Sequence, residues 1–305
     1  MNDSVTANPL TDPFGRSISS LRISVTDRCN LNCIYCHHEG NDCVHAESEI
    51  SKQTILNLVG AARCHGVNKL KFSGGEPLMR SDFEEIISEL PRMKNISATT
   101  NGVMLADRAH DLKDSGLDRV NISLDTLDPE RYRYITNGSS HLLERVMDGI
   151  HMAVDAGLVP VKLNMVLLKG LNDSEIEDML DFVRGYSDGV VLQLIELMDF
   201  NGIPSYRIDA DAIEQYLASR AKSIITRKMH RRKKYLIDGA AVEFVRPIDN
   251  SQFCAACNRL RVTPQGKLKP CLLVNDNLVD IEGADCRQMH ELLRTAVSRR
   301  VPFCR

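Results

Sequence analysis

Tryptophan is absent, and aromatic residues make up only 5% of the 305-residue chain. A nucleic-acid surface that stacks bases on interleaved aromatic side chains therefore has little to build on. An excess of one charge is lacking too. The 38 lysines and arginines face 41 aspartates and glutamates, a formal net charge of −3, so no global attraction to nucleic acid or an anionic membrane is expected. No uninterrupted apolar run reaches the roughly 18 residues of a spanning helix. Met1–Asp12 is polar and lacks the basic-then-apolar order of a secretory signal. These absences lead us to expect a cytoplasmic protein without a membrane or nucleic-acid partner. No internal repeat or low-complexity segment is present.

Cysteine, by contrast, is plentiful, with ten in the chain. Disulfide frameworks belong to secreted chains of fewer than about 100 residues. Here the cysteines gather in two tight groups, Cys29-x3-Cys33-x2-Cys36 and Cys254-x2-Cys257-x13-Cys271, and metal or iron–sulfur binding is the better reading. Cys43, Cys64, Cys286 and Cys304 stand outside the groups. Each is expected to be a small buried apolar residue.

Apolar, β-branched runs recur at Leu21–Thr26, Lys69–Ser73, Ser97–Thr100, Arg119–Leu124, Val161–Leu167 and Val190–Leu197. Amphipathic stretches with helical spacing lie between them, among them Lys52–His65, Asp82–Leu90 and Leu142–Ala156. Such alternation predicts parallel strands with helices outside. Six units predict an α/β fold, an incomplete (βα)6 barrel of the TIM type. The chemistry of such barrels sits at the C-terminal ends of the strands. Cys29, Gly74–Pro77, Thr100–Gly102, Ser123–Asp125, Lys162, Asn164, Glu196 and Met198 are expected to share that one mouth. From about Phe200 the pattern changes. After a turn at Gly202–Ser205 and a helix to Arg220 come a basic run, Arg227–Lys234, and short strands separated by turn residues. We expect an N-terminal extension (1–14), a barrel core (15–200) and a small C-terminal α+β region (201–305) carrying the second cysteine group. The basic run is expected to be a solvated face.

Three thiolates in a loop after a strand can hold three irons of a [4Fe–4S] cluster and leave the fourth iron open. S-adenosylmethionine can chelate such an iron through its amino and carboxylate groups. Zinc, with His37 or His38 as fourth ligand, is the competing reading. In the second group a zinc ribbon lacking one ligand competes with another open cluster. Arg259 and Arg261 stand two residues apart, on one side of a predicted strand beside that group. Cations there suit an anionic, nitrogen-bearing substrate.

The first triad, Tyr35 just before its last cysteine, and Gly74-Gly75-Glu76-Pro77 together resemble the radical S-adenosylmethionine superfamily. The longer stretch from Gly15-Arg16 to Cys271 resembles the GTP 3′,8-cyclase family, which takes the first step of molybdenum cofactor biosynthesis. The resemblance runs through Leu21–Asn30, Ser73–Leu78, Thr99–Gly102, Asn121–Asp125, Val161–Asn164 and Phe253–Cys257. It implies two [4Fe–4S] clusters, one on each triad. It implies S-adenosylmethionine contacts from Tyr35, Gly75, Ser123 and Met198. It implies GTP contacts from Arg22, Lys71, Thr99, Lys162, Arg259 and Arg261, the two last being the catalytic candidates. The implied reaction takes hydrogen from C3′ of GTP, joins C3′ to C8, and ends with one electron and a proton as 3′,8-cyclo-7,8-dihydro-GTP. Implied partners are a low-potential electron donor of the flavodoxin or ferredoxin type and the cyclic pyranopterin monophosphate synthase that acts next. The chain is expected to be a monomer or homodimer.

Three departures from the family pattern stand out. Bacterial members usually carry a C-terminal Gly-Gly tail. This chain ends Pro302-Phe303-Cys304-Arg305, which resembles a short archaeal form. Lys71 stands where many members have arginine, keeping the charge and losing the bidentate fork. Gln193 stands where many bacterial members have arginine. The alternatives are a radical enzyme with one auxiliary cluster acting on a peptide, or one acting on RNA through Arg227–Lys234. The first usually needs more C-terminal cysteines than Cys286 and Cys304 provide, and the second needs aromatics where Tyr235 stands alone.

Overall fold

The computed structural model describes residues 8–40, 48–186, 189–198, 204–227, 231–248 and 250–302. Each β-branched run becomes a strand: β1 (Ser20–Ser24), β2 (Lys69–Ser73), β3 (Asn95–Thr100), β4 (Arg119–Ser123), β5 (Val161–Leu167) and β6 (Val190–Glu196). They lie side by side in chain order, every pair parallel. Their crossovers carry α1 (Lys52–Cys64), α2 (Phe83–Glu89), α3 (Ala109–Asp114), α4 (Pro129–Thr136), α5 (Leu142–Asp155) and α6 (Ile176–Arg184). This is the expected incomplete barrel.

The C-terminal region extends both edges of the same sheet. After α7 (Ala210–Arg220) come β7 (Ser223–Thr226), β8 (Lys233–Ile237) and β9 (Ala240–Val245), and β9 lies parallel to β6. After α8 (Ser251–Ala255), β10 (Arg259–Val262) lies parallel to β1, with β11 (Lys267–Lys269) and β12 (Val279–Asp280) beyond it and α9 (Cys286–Ser298) last. The sheet order is β12-β11-β10-β1-β2-β3-β4-β5-β6-β9-β8-β7. Cys254 and Cys257 therefore lie in the link that runs from one edge of the parallel array to the other. Of the turn expected at Gly202–Ser205, residues 202 and 203 lie outside the described residues, as do Cys43 and Cys304.

Strand periodicity sorts the side chains. Leu21, Ile23, Leu70, Phe72, Val120, Ile122 and Leu163 are buried in the main core, where each fully buried side chain contributes about 1.5–3 kcal/mol. The alternate residues, Arg22, Lys71, Ser97, Arg119, Asn121 and Lys162, line an interior cavity. Outside, α1 starts at Ser51, whose hydroxyl accepts from Thr54 N. It is held to α9 by Asn57 donating to the Ala284 carbonyl and by His65 meeting His290 at 2.9 Å. Cys64 and Cys286, at the ends of these helices, are exposed rather than buried as expected. No helix among the described residues is long and apolar enough to cross a membrane.

Candidate active site

Cys29, Cys33 and Cys36 follow β1 at the C-terminal mouth of the barrel. Val25 N donates to Ser73 O, and Gly75 N to Thr26 O, tying the cysteine loop to the end of β2. A Cβ on Gly74 would lie 2.3 Å from the Thr26 oxygen, and one on Gly75 would lie 2.2 Å from the Arg28 oxygen. The glycine pair is thus required by the close approach of the chain's own backbone. Glu76 is buried and accepts from Thr100 Oγ1, Asn101 N and Leu78 N, at 2.7, 2.6 and 3.0 Å. Asn101 in turn donates to Asn30 at 2.7 Å, so the ends of β2 and β3 hold the loop.

Tyr35 points into the cavity, and its hydroxyl donates to Asp125 Oδ2 at 2.5 Å. Burial pushes the Asp125 carboxyl up to about 6 against the pull of the Tyr35 and Val166 hydrogen bonds. Ser123 and Met198, at the ends of β4 and β6, line the same cavity. Gly75 is exposed beside the cysteine loop.

The cavity holds about 870 Å³ and runs down the barrel interior. Lys162, expected at the mouth, lies with the other cations along its length instead. Arg22 is in register with both Arg261 and Lys71, and Asn121 with both Thr99 and Lys162. Charged side chains in the middle of these strands are tolerated because the lumen is polar. Lys71 donates to Asn121 Oδ1 at 2.8 Å, and burial, then Arg22 and Arg259, hold its ammonium well below the usual range. Lys162 is paired with Glu243 at 2.7 Å, and burial lowers it to about 8 despite that partner. Arg22 and Arg261 meet Glu39 at 2.8 and 2.9 Å. Burial alone would raise the Glu39 carboxyl, but the two guanidiniums hold it at about 2. Both Glu39 and His38 before it take positive φ, 54° and 46°, a strained turn that sets the carboxylate between the arginines.

The second triad sits at the opposite end. Cys257 precedes Arg259, which is in register with Ser20, the first residue of β1; Cys271 follows β11, which runs antiparallel to β10. Cys254, Cys257 and Cys271 therefore lie at the N-terminal ends of the strands, and all three line the cavity. Arg16 donates to the Cys254 and Val301 carbonyls, and Arg300 to the Cys257 carbonyl, at 3.3, 2.6 and 3.2 Å. Asp12, fully buried, pairs with both arginines.

The donors of the first triad fit an iron–sulfur cluster. Burial pushes the thiols of Cys29, Cys33 and Cys36 up, and Cys33 is raised further by Asp125 and its two neighbours. Iron in place of the protons removes that cost. Among the described residues, no three His, Cys, Asp or Glu side chains converge closely enough for a single metal ion.

Sequence reading missed several residues. Glu39 and Glu243 are lone carboxylates in loop and strand, with no pattern to single them out. Arg227 is exposed as expected while also bordering the cavity, whereas Arg232, expected to be solvated, is largely withdrawn from solvent and lines it. A run of cations does not show which of its members fold inward. Arg119 opens β4 and faces the same space.

Comparison with known proteins places this architecture. Residues 23–183 match the family described as Radical SAM superfamily, and residues 190–302 match Molybdenum Cofactor Synthesis C. The chain is 56% identical over 299 residues to the probable GTP 3′,8-cyclase of Methanosarcina mazei, covering 96% of this chain and 90% of that one. It is 44% identical over 297 residues to that of Archaeoglobus fulgidus, covering 96% and 99%. Among solved structures it resembles Streptococcus suis SuiB bound to precursor peptide SuiA (TM-score 0.64, 16% identity, 93% of this chain and 66% of that one). It also resembles native anSMEcpe with bound AdoMet (TM-score 0.64, 16% identity, 90% and 81%). At that identity the likeness concerns the fold alone. The sequence relatives carry the finer assignment: the chain belongs to the GTP 3′,8-cyclase family of radical S-adenosylmethionine enzymes in molybdenum cofactor biosynthesis.

Proposed function

We propose that the chain converts GTP to 3′,8-cyclo-7,8-dihydro-GTP inside the barrel cavity. The observation that carries this reading is one cavity with Tyr35 of the first cysteine loop toward one end, the second cysteine triad at the other, and cations between. Cys29, Cys33 and Cys36 would hold one [4Fe–4S] cluster, and Cys254, Cys257 and Cys271 a second. When bound with S-adenosylmethionine, the first supplies an electron and a 5′-deoxyadenosyl radical able to take hydrogen from C3′ of the ribose.

The chain's own residues supply binding and orientation. Tyr35, held by Asp125, packs along the adenosyl group, with Gly75, Ser123 and Met198 forming the rest of its bed. Arg22, Lys71, Thr99 and Lys162 project from adjacent strands toward the nucleotide. Arg259 and Arg261 orient the guanine end beside the second triad. Burial and the neighbouring arginines depress Arg259, and its buried Nε has no hydrogen-bond partner, so an anionic or hydrogen-bond-accepting ligand relieves it. The polar lumen holds C3′ and C8 within reach of one another. The electron is expected from a low-potential flavodoxin- or ferredoxin-type donor, and the product passes to cyclic pyranopterin monophosphate synthase.

The test is anaerobic incubation of the reconstituted protein with GTP, S-adenosylmethionine and a reductant. The product is an isomer of GTP, so the nucleotides are separated by chromatography before fragmentation and mass analysis. A new nucleotide isomer formed together with 5′-deoxyadenosine supports the reading. Unchanged GTP alongside 5′-deoxyadenosine contradicts it.

A further inference from the structure

Where β9 joins β6, three cations gather on one carboxylate. Glu243 on β9 is fully buried. Lys162 reaches it at 2.7 Å, Arg227 at 3.0 Å and Arg232 at 3.5 Å. Arg119 feels the repulsion of Arg227 and the attraction of Asp118, then of Glu243, and its Nε is buried without a hydrogen-bond partner. Glu243 thus serves three cations, Lys162, Arg227 and Arg232, and these and Arg119 all line the cavity. Lys162 and Arg232 are largely withdrawn from solvent, and buried like charges are costly unless a counter-charge joins them.

Arg232 shows where that counter-charge belongs. Its Nη1 donates to Gln193 Oε1 at 3.0 Å, and its Nε is buried without a partner. Gln193 passes the contact on to Asn164 at 2.7 Å, and Asn164 lies 3.3 Å from Asn121, the partner of Lys71. Arg232 is therefore fixed in direction while keeping donor capacity unused. Arg227 N donates to Arg232 O at 2.8 Å, which holds the two side chains on one side of the cavity.

We propose that Arg227 and Arg232, together with Arg119 and Lys162, form the subsite for the phosphate chain of the nucleoside triphosphate. The proposal rests on the GTP reading above, which already includes Lys162, and goes beyond it by adding Arg119 on β4 and the two arginines Arg227 and Arg232 outside the six-strand barrel. Guanidiniums suit this role because their planar forks match phosphate oxygens. Glu243 keeps them oriented before the nucleotide arrives.

The test measures anaerobic equilibrium binding of GTP, GMP and guanosine to the cluster-loaded protein and its Arg232→Gln and Arg227→Gln variants. Melting temperature and iron content confirm that each variant is folded and loaded. Arg227, partly exposed, carries the test if Arg232→Gln fails to fold. The expected result is a GTP affinity lower by about tenfold, the size of one lost charge-assisted hydrogen bond, with guanosine affinity unchanged. Gln193→Arg in the Arg232→Gln background should restore the preference for GTP by placing a guanidinium beside the vacated position. Loaded variants that keep the wild-type ratio of GTP to guanosine affinity would overturn the subsite. A wild-type protein that binds none of the three would instead overturn the GTP reading itself.

Discussion

Gly75 shows how little room the mouth of the barrel leaves. A single methyl group there would meet the Arg28 oxygen at 2.2 Å, and that contact is backbone. Gly75→Ala must therefore shift Arg28 and, with it, Cys29. A displacement near 1 Å in a positioned radical reaction costs about 100-fold, so 5′-deoxyadenosine formation should fall by about that factor while the fold survives. Wild-type turnover in this variant would mean the glycine is not setting the loop. Further down, Lys162 titrates near 8 because burial opposes its charge. The sign follows directly: the ammonium is present below that pH and lost above it. GTP affinity should weaken as pH rises through about 8, and Lys162→Gln should flatten the profile. A wild-type affinity independent of pH from 7 to 9 would show that Lys162 does not meet the nucleotide.

At the level of elements, the chain's two ends clamp the link that carries the second triad. Asp12 pairs with Arg16 and Arg300, which hold the carbonyls of Cys254 and Cys257. Breaking a buried ion pair from one side costs about 3–5 kcal/mol. Asp12→Asn should lower the melting temperature and drop the reconstituted iron content from about eight toward about four per chain, since each [4Fe–4S] cluster carries four irons. Cys33→Ala should give the mirror image: iron lost from the first triad, with no reductive cleavage of S-adenosylmethionine. Full iron loading of Asp12→Asn would separate the clamp from the triad. The strands themselves were legible in the sequence because their β-branched runs are long and regular. What the pattern could not convey was the partner of each edge. That β9 joins β6 and β10 joins β1 depends on contacts between residues far apart in sequence.

For the whole molecule, the same limit explains which parts of the site could be read in advance. The cysteine triads are local in sequence and were visible at once. The cation lining was visible one residue at a time, as Arg22, Lys71, Lys162, Arg259 and Arg261, but its placement was not. Those residues run down the lumen, and the second triad lies at the N-terminal end of the strands, because β10 enters the sheet beside β1. Glu39, Glu243, Arg119, Arg227 and Arg232 became recognisable only once the fold brought them together. The resulting arrangement puts a cysteine triad at each end of the parallel array and a cationic chamber between them.

The most direct test of that arrangement follows the hydrogen at C3′. The reconstituted protein is incubated anaerobically with S-adenosylmethionine, a reductant and GTP carrying deuterium at C3′. If the nucleotide lies in the chamber with its ribose toward the first triad, deuterium appears in the 5′-deoxyadenosine, and the cyclised nucleotide has lost it. Deuterium retained in the nucleotide, with unlabelled 5′-deoxyadenosine formed at the same rate, would contradict the account.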